Sequence, residues 1–127
     1  MADPRVIPDP PFAWAEGAPY SQAVRVGDLV FTSGQGGFDA DGELVEGIEA
    51  QLRLSLANLG ASLEAAGASL ATLVKITVYL ADPAHLDVWR SVRADVLAPP
   101  FPATTAVSTA LLFDGMLCEI DAVAVVG

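Results

Sequence analysis

The sequence predicts an α+β fold, with one mixed β-sheet and two helices on one of its faces. Three observations carry that expectation. Two stretches repeat their apolar residues at helical spacing. Five other stretches alternate or are rich in β-branched residues, as half-buried strands are. Their order is strand, strand, helix, strand, helix, strand, strand, in a chain of 127 residues, the size of one domain. Two helices cover one face of such a sheet and leave nothing for the other.

The first 19 residues hold Pro4, Pro8, Pro10, Pro11, Gly17 and Pro19. Such punctuation predicts an extended arm rather than a packed element, with Phe12 and Trp14 pinning it to the body or Trp14 lining a pocket. Residues 20–26 alternate, Gly27-Asp28 makes a turn, and residues 29–33 alternate again, which is a hairpin signal. Gly34-Gln35-Gly36-Gly37 breaks the pattern; glycines there allow a backbone to approach a ligand closely. Their spacing fits neither a dinucleotide fingerprint nor a P-loop. The acidic turn at 39–43 has too few ligand positions for calcium.

Residues 48–66 form the clearest helix, with Ile48, Leu52, Leu56, Leu59 and Leu63 on one stripe and Gly67 where a terminating glycine belongs. Residues 73–80 read as a strand. Asp82-Pro83 opens a second helix as N-cap and first-turn proline, with Leu86, Trp89, Val92 and Val96 as its apolar face, and Pro99-Pro100 ends it. The last quarter, 101–126, reads as two long strands about a turn at Phe113-Asp114-Gly115, paired antiparallel with each other. Alternation puts Thr104, Ala106 and Ser108 on one face of the first arm and Thr105, Val107 and Thr109 on the other. On the second arm Glu119 and Asp121 share a face. Acids in an apolar strand are expensive to bury without partners. Either that face is wet, or one acid looks into a cleft and does proton chemistry.

Composition narrows the function. Hydrophobic residues make up 53% of the chain and charged ones 17%, yet no apolar run reaches the ~18 residues that a membrane span needs. The excess apolar surface is expected in a subunit interface. Net charge is −10, Lys75 is the single lysine, and the arginines at 5, 25, 53, 90 and 93 are scattered, which disfavours nucleic acid and anionic membranes. The N-terminus shows no signal-peptide pattern, so cytoplasmic location is the default expectation. Cys118 alternates away from Glu119, and His85, at the opening of the second helix, is not adjacent to it in sequence, so no Cys-His nucleophile is expected. No cluster of His, Cys and acids has metal-ligand spacing.

Several stretches resemble the RidA/YjgF family of enamine/imine deaminases. They are residues 18–24 (APYSQAV), 31–35 (FTSGQ), 58–59 with 63–70 (LEAAGASL), 74–80 (VKITVYL), Pro102-Ala103, and 119–125 (EIDAVAV). The resemblance runs from about residue 17 to 126. It implies a chorismate-mutase-like fold, a homotrimer whose sheets form a central barrel, and clefts at the subunit boundaries. It also implies hydrolysis of reactive 2-enamine/2-imine acids to 2-keto acids and ammonia without a cofactor. The matching positions are Tyr20, Ser33, Gly34 and Glu119. One departure stands out: where the family has Pro-Ala-Arg, with the arginine holding the substrate carboxylate, this chain has Pro102-Ala103-Thr104. Threonine lacks the two-pronged, charge-assisted contact of arginine. A family asparagine falls near Arg90, so Arg90 or Arg93 could supply a guanidinium from the second helix, or both could lie on its solvated face.

Three functions are therefore weighed. The first is a diverged deaminase or related hydrolase acting on a small C=N compound. In it Glu119 positions water or relays a proton, and the amides near Ser33-Gly34 with the Thr104 and Thr105 hydroxyls polarise the substrate. The second is a non-catalytic module that binds a metabolite in the same cleft. The third is an endoribonuclease, which the charge disfavours most.

Overall fold

The computed structural model describes residues 2–127. It is a six-stranded mixed sheet carrying two helices on one face. The strands are β1 (Arg5–Val6), β2 (Ala23–Val26), β3 (Leu29–Thr32), β4 (Leu73–Leu80), β5 (Ala103–Ser108) and β6 (Cys118–Val125), and the helices are α1 (Ile48–Ala65) and α2 (Leu86–Val96). The spatial order is β1-β2-β3-β6-β4-β5. The predicted hairpin is present as β2 and β3, with Val26 opposite Leu29. Asp82 accepts a hydrogen bond from the Ala84 amide at 2.8 Å and starts a short 3-10 turn that leads into α2. At the end of α1 the amides of Gly67 and Ala68 return to the carbonyls of Glu64 and Leu63; Gly67 supplies the positive φ (90°) that this Schellman closure requires.

Two expectations fail: the pairing of the last two strands, and the place of Val96 on the apolar face of α2. The final two strands do not pair with each other. β4 lies between them, parallel to β5 and antiparallel to β6. The cause is burial. Cys118, Ile120, Ala122 and Ala124 on one face of β6 are all buried, so β6 takes a central place, whereas every residue of β5 is exposed and suits an edge. α2 supplies the crossover that a parallel β4–β5 pair needs. The N-terminal arm is also more than a tether: Arg5 and Val6 add an edge strand to β2, and residues Ala13–Ala15 form a 3-10 turn.

The core lies between the helices and the sheet. Leu52, Leu56, Leu59 and Leu63 of α1 pack with Trp89 and Val92 of α2 against Ile76, Val78 and Ile120 of the sheet. Val96, expected on the apolar face of α2, is exposed; Leu97, just past the helix, is buried in its stead. The opposite sheet face has no covering element among the described residues. It presents Phe31, Thr77, Tyr79, Glu119, Asp121 and Val123 at partial or full exposure. No helix among the described residues is long and apolar enough to cross a membrane.

Candidate active site

A cavity of about 430 Å³ opens at the end of β6, between the loop after β3, the N-terminal arm and the loop before β6. Tyr20, Ser33, Gly34 and Glu119, the four positions singled out by resemblance, all line it. The loop after β3 is held by its backbone. The Ser33 amide donates to Gln22 O, and Gln35 exchanges two hydrogen bonds with Ile120, at 2.7 and 3.0 Å. The amide of Gly34, between them, has no acceptor among the described residues. The Ser33 hydroxyl donates to Ser21 O at 2.6 Å, which fixes the strand end to the arm.

Gly34 is there for space. A Cβ at this position would overlap Oε1 of Glu119, with the carboxyl carbon only 2.7 Å away. The glycine therefore lets the carboxyl lie directly on the loop backbone. Glu119 is half-buried, and burial pushes its pKa upward, with the nearby Asp121 charge adding to the rise. Asp121, the second acid, is not in this cavity. It accepts a hydrogen bond from the Tyr79 hydroxyl at 3.1 Å on the open sheet face. Burial, then Asp121, raises the Tyr79 pKa as well. Cys118 points the other way, into the core, where burial pushes its thiol to about 11 and makes it a poor nucleophile at neutral pH.

The remaining predicted positions lie elsewhere in the chain. Thr104 shares a second cavity, of about 340 Å³, with Arg90 and Arg93 between α2 and β5. Arg90 pairs with Asp87 at 3.2 Å, while the Arg93 guanidinium sits 5.8 Å from the centre of the Trp89 ring. Thr105 faces the open side of the sheet and accepts a 2.6 Å hydrogen bond from Lys75 Nζ. Among the described residues, no arginine or lysine lines the Glu119 cavity.

Apart from Phe12 and Trp14, which the sequence offered as anchors of the arm or, for Trp14, as a pocket wall, sequence reasoning passed over two sets of residues here. The first is a pair of amides on α1. Asn58 Nδ2 donates to Gly36 O and Phe38 O, both at 2.9 Å. Gln51 Nε2 donates to Val45 O and Gly115 O, and its Oε1 accepts from the Leu117 amide. One helix thus fixes two walls of the cavity. The second set is aromatic. Trp14 stacks on Phe12 (5.2 Å, 6° between planes), tilts against Phe38 at 6.2 Å, and Phe38 meets Phe113 edge-on at 6.0 Å. Trp14, Phe38 and Phe113 all line the cavity. Trp14 therefore both anchors the arm and forms part of the wall.

A profile of the family described as Endoribonuclease L-PSP matches residues 13–126. The chain belongs to the RidA/YjgF family. It is 40% identical over 111 residues to a human protein named 2-iminobutanoate/2-iminopropanoate deaminase, covering 86% of this chain and 81% of that one. It is 42% identical over 108 residues to a RutC family protein of Pyrococcus horikoshii, covering 84% and 86%. Among solved structures, RidA from an Antarctic Psychrobacter superposes with a TM-score of 0.88 at 39% identity, covering 95% of this chain and 99% of that one. RidA relatives are thus similar to this chain across nearly the whole fold.

Proposed function

We propose that this chain hydrolyses a reactive enamine or imine to a carbonyl compound and ammonia, with Glu119 as the proton-relaying group. The observation that carries this reading is the Glu119 carboxyl. It is half-buried, raised in pKa, and set against Gly34 in a cavity large enough for a small metabolite. The names of the relatives, imine deaminases among them, support it.

Chemically, water adds to the C=N carbon, the nitrogen takes up a proton, and the tetrahedral adduct loses ammonia to leave C=O. A single carboxyl with a raised pKa serves both halves. As a base it takes a proton from the attacking water, and as an acid it returns one to the departing nitrogen. The Gly34 N–H, which has no acceptor among the described residues, would be a donor for a substrate oxygen.

We also propose that the working unit is a homotrimer. The open sheet face and the lack of any cation in the Glu119 cavity support it. An adjoining subunit that laid its β5 edge over this cavity would bring Thr104, Thr105 and Arg90 beside Glu119, whose cavity none of them lines within one chain. Such a cleft needs no cofactor.

Glu119→Gln tests the assignment. With freshly generated imino acids, the loss of a general acid–base group should lower kcat by about 10²–10⁴-fold while the assembly stays intact. A folded variant with undiminished turnover would remove Glu119 from the chemistry. No turnover by the parent protein on any imine would favour a metabolite-binding role. An endoribonuclease role, which the family description names, is opposed by a net charge of −10 and by six cations spread over the chain.

A further inference from the structure

Within one chain, the Glu119 cavity is larger and more apolar than the substrates in the relatives' names require. At about 30 Å³ per water, 430 Å³ holds on the order of a dozen waters. An imino acid with a methyl or ethyl side chain would displace few of them. The aromatic row of Trp14, Phe38 and Phe113 would stay wet, as would Met116 beside it. Two features keep Trp14 and Phe38 in place. Gly42 sits against Trp14, where an added Cβ would lie 3.3 Å from the tryptophan Cβ, and Asn58 clamps the carbonyl of Phe38. Trp14 and Phe38 are therefore a fixed apolar wall within the cavity that holds Glu119, with Phe113 edge-on to Phe38 at its exposed rim.

We propose that the imine carbon of the true substrate carries a large apolar side chain, aromatic or branched aliphatic, that packs on Trp14, Phe38 and Phe113. The proposal rests on the imine-hydrolysis reading for its chemistry, whereas the preference for a large apolar group rests on the aromatic lining, which a subunit laid over the cavity would leave as its wall. A ring stacked on this wall removes apolar surface from water on both partners, and aromatic pairs prefer the offset and edge-on arrangements already present among the three. A methyl group reaches none of that gain. Against the methyl-bearing homologue, a benzyl or isobutyl side chain should be favoured by about 30- to 100-fold, the scale that area burial and aromatic contact set together.

The test has a binding arm and a turnover arm, both on the full chain in its native assembly. Calorimetric titration compares phenylpyruvate with pyruvate, the keto acids of a large and a small side chain. Phenylpyruvate should bind at least about 30-fold more tightly. Phe113→Ala, at a residue 62% exposed and so tolerant of truncation, should weaken phenylpyruvate several-fold more than it weakens pyruvate. In the turnover arm, imines generated by an amino-acid oxidase from phenylalanine or leucine should be hydrolysed with a higher kcat/KM than that from alanine. Equal binding of the two keto acids, or a Phe113→Ala variant that binds phenylpyruvate normally, would overturn the proposal. So would faster turnover of the alanine-derived imine, which would leave the imine-hydrolysis reading intact. Selective phenylpyruvate binding with no imine turnover would do the reverse, upholding the size preference and removing the hydrolase reading.

Discussion

Replacing Gly34 with alanine should break the candidate site while sparing most of the fold. The added Cβ would overlap Oε1 of Glu119 and stand 2.7 Å from its Cδ and 2.9 Å from its Cγ. Either the carboxylate swings away or the loop shifts. The loop is pinned on both sides, by Ser33 N to Gln22 O and by the paired bonds between Gln35 and Ile120, so the side chain is the part that gives. Displacing a catalytic group by about 1 Å can lower turnover ~10²-fold, and kcat/KM for imino acids should fall by about that factor. Overpacking costs about 1–3 kcal/mol in a tight core. Glu119 is half-buried with a flexible end, so the low end applies, or a drop of roughly 3–5 °C in thermal midpoint for a domain of this size. A double-mutant cycle isolates the cause. In a Glu119→Ala background the clash partner is gone, and Gly34→Ala should then have almost no effect on stability. Normal turnover in Gly34→Ala, or an unchanged stability loss in the Glu119→Ala background, would refute the close approach of carboxyl and loop as the organising feature of the site.

Three other outcomes are expected. Thr104→Arg adds a third guanidinium to a cavity already lined by Arg90 and Arg93. Like-charge contact at a solvated site is worth up to about 1 kcal/mol, so the thermal midpoint should fall by a few degrees, recover in part with Arg90→Met, and bring no gain in turnover. A tenfold gain at unchanged stability would show instead that a missing arginine was the main defect. Burial raises the folded-state pKa of Glu119 above its ordinary 4.5. Between 4.5 and that raised value the folded chain keeps a proton the unfolded chain has released, so stability falls as pH rises through this window. Thermal midpoints of Glu119→Gln should lack this component, and parallel pH profiles for variant and parent would contradict it. Light scattering at micromolar concentration should report three chains per particle; a stable monomer would end the homotrimer proposal.

The Leu stripe of α1, the β2–β3 hairpin and β4 are legible in the sequence because each is specified locally, by a period, a turn or a run of β-branched residues. The alternation along β6 likewise puts Glu119 and Cys118 on opposite faces of the strand. Strand adjacency is not legible. Whether β5 meets β6 or β4 depends on which strand can bury a face under α1, and β5 has the β-branched residues of a strand without the bulk of a central one. A two-residue strand such as β1 carries no period at all; it exists because β2 leaves an edge open to the arm.

The walls of the cavity show a different limit. Gln51, Ser55, Asn58 and Ser62 recur at helical spacing along α1 and are all buried. They form a second stripe beside the leucines, which the leucine period overshadows. A buried amide needs partners, and a helix with a polar stripe turned inward must therefore be meeting backbone that has no sheet or helix of its own. Gln51 and Asn58 do so at the loops on either side of the cavity. The glycine-rich break at 34–37 and the turn at 113–115 leave many backbone groups without partners. The two amides of the stripe offer matching side-chain donors and an acceptor, whereas Ser55 meets Cys118 Sγ at 3.5 Å on β6 and Ser62 bonds to neither loop. Together they predict that the helix clamps the loops, and that a cavity with rigid walls lies between them. Asn58→Leu is the sharpest check on that link. It keeps the volume in the core but leaves Gly36 O and Phe38 O without their donor, so it should loosen the aromatic wall and raise KM for large substrates more than it lowers kcat. A proportionate loss of both for small and large substrates alike would place Asn58 in fold stability alone.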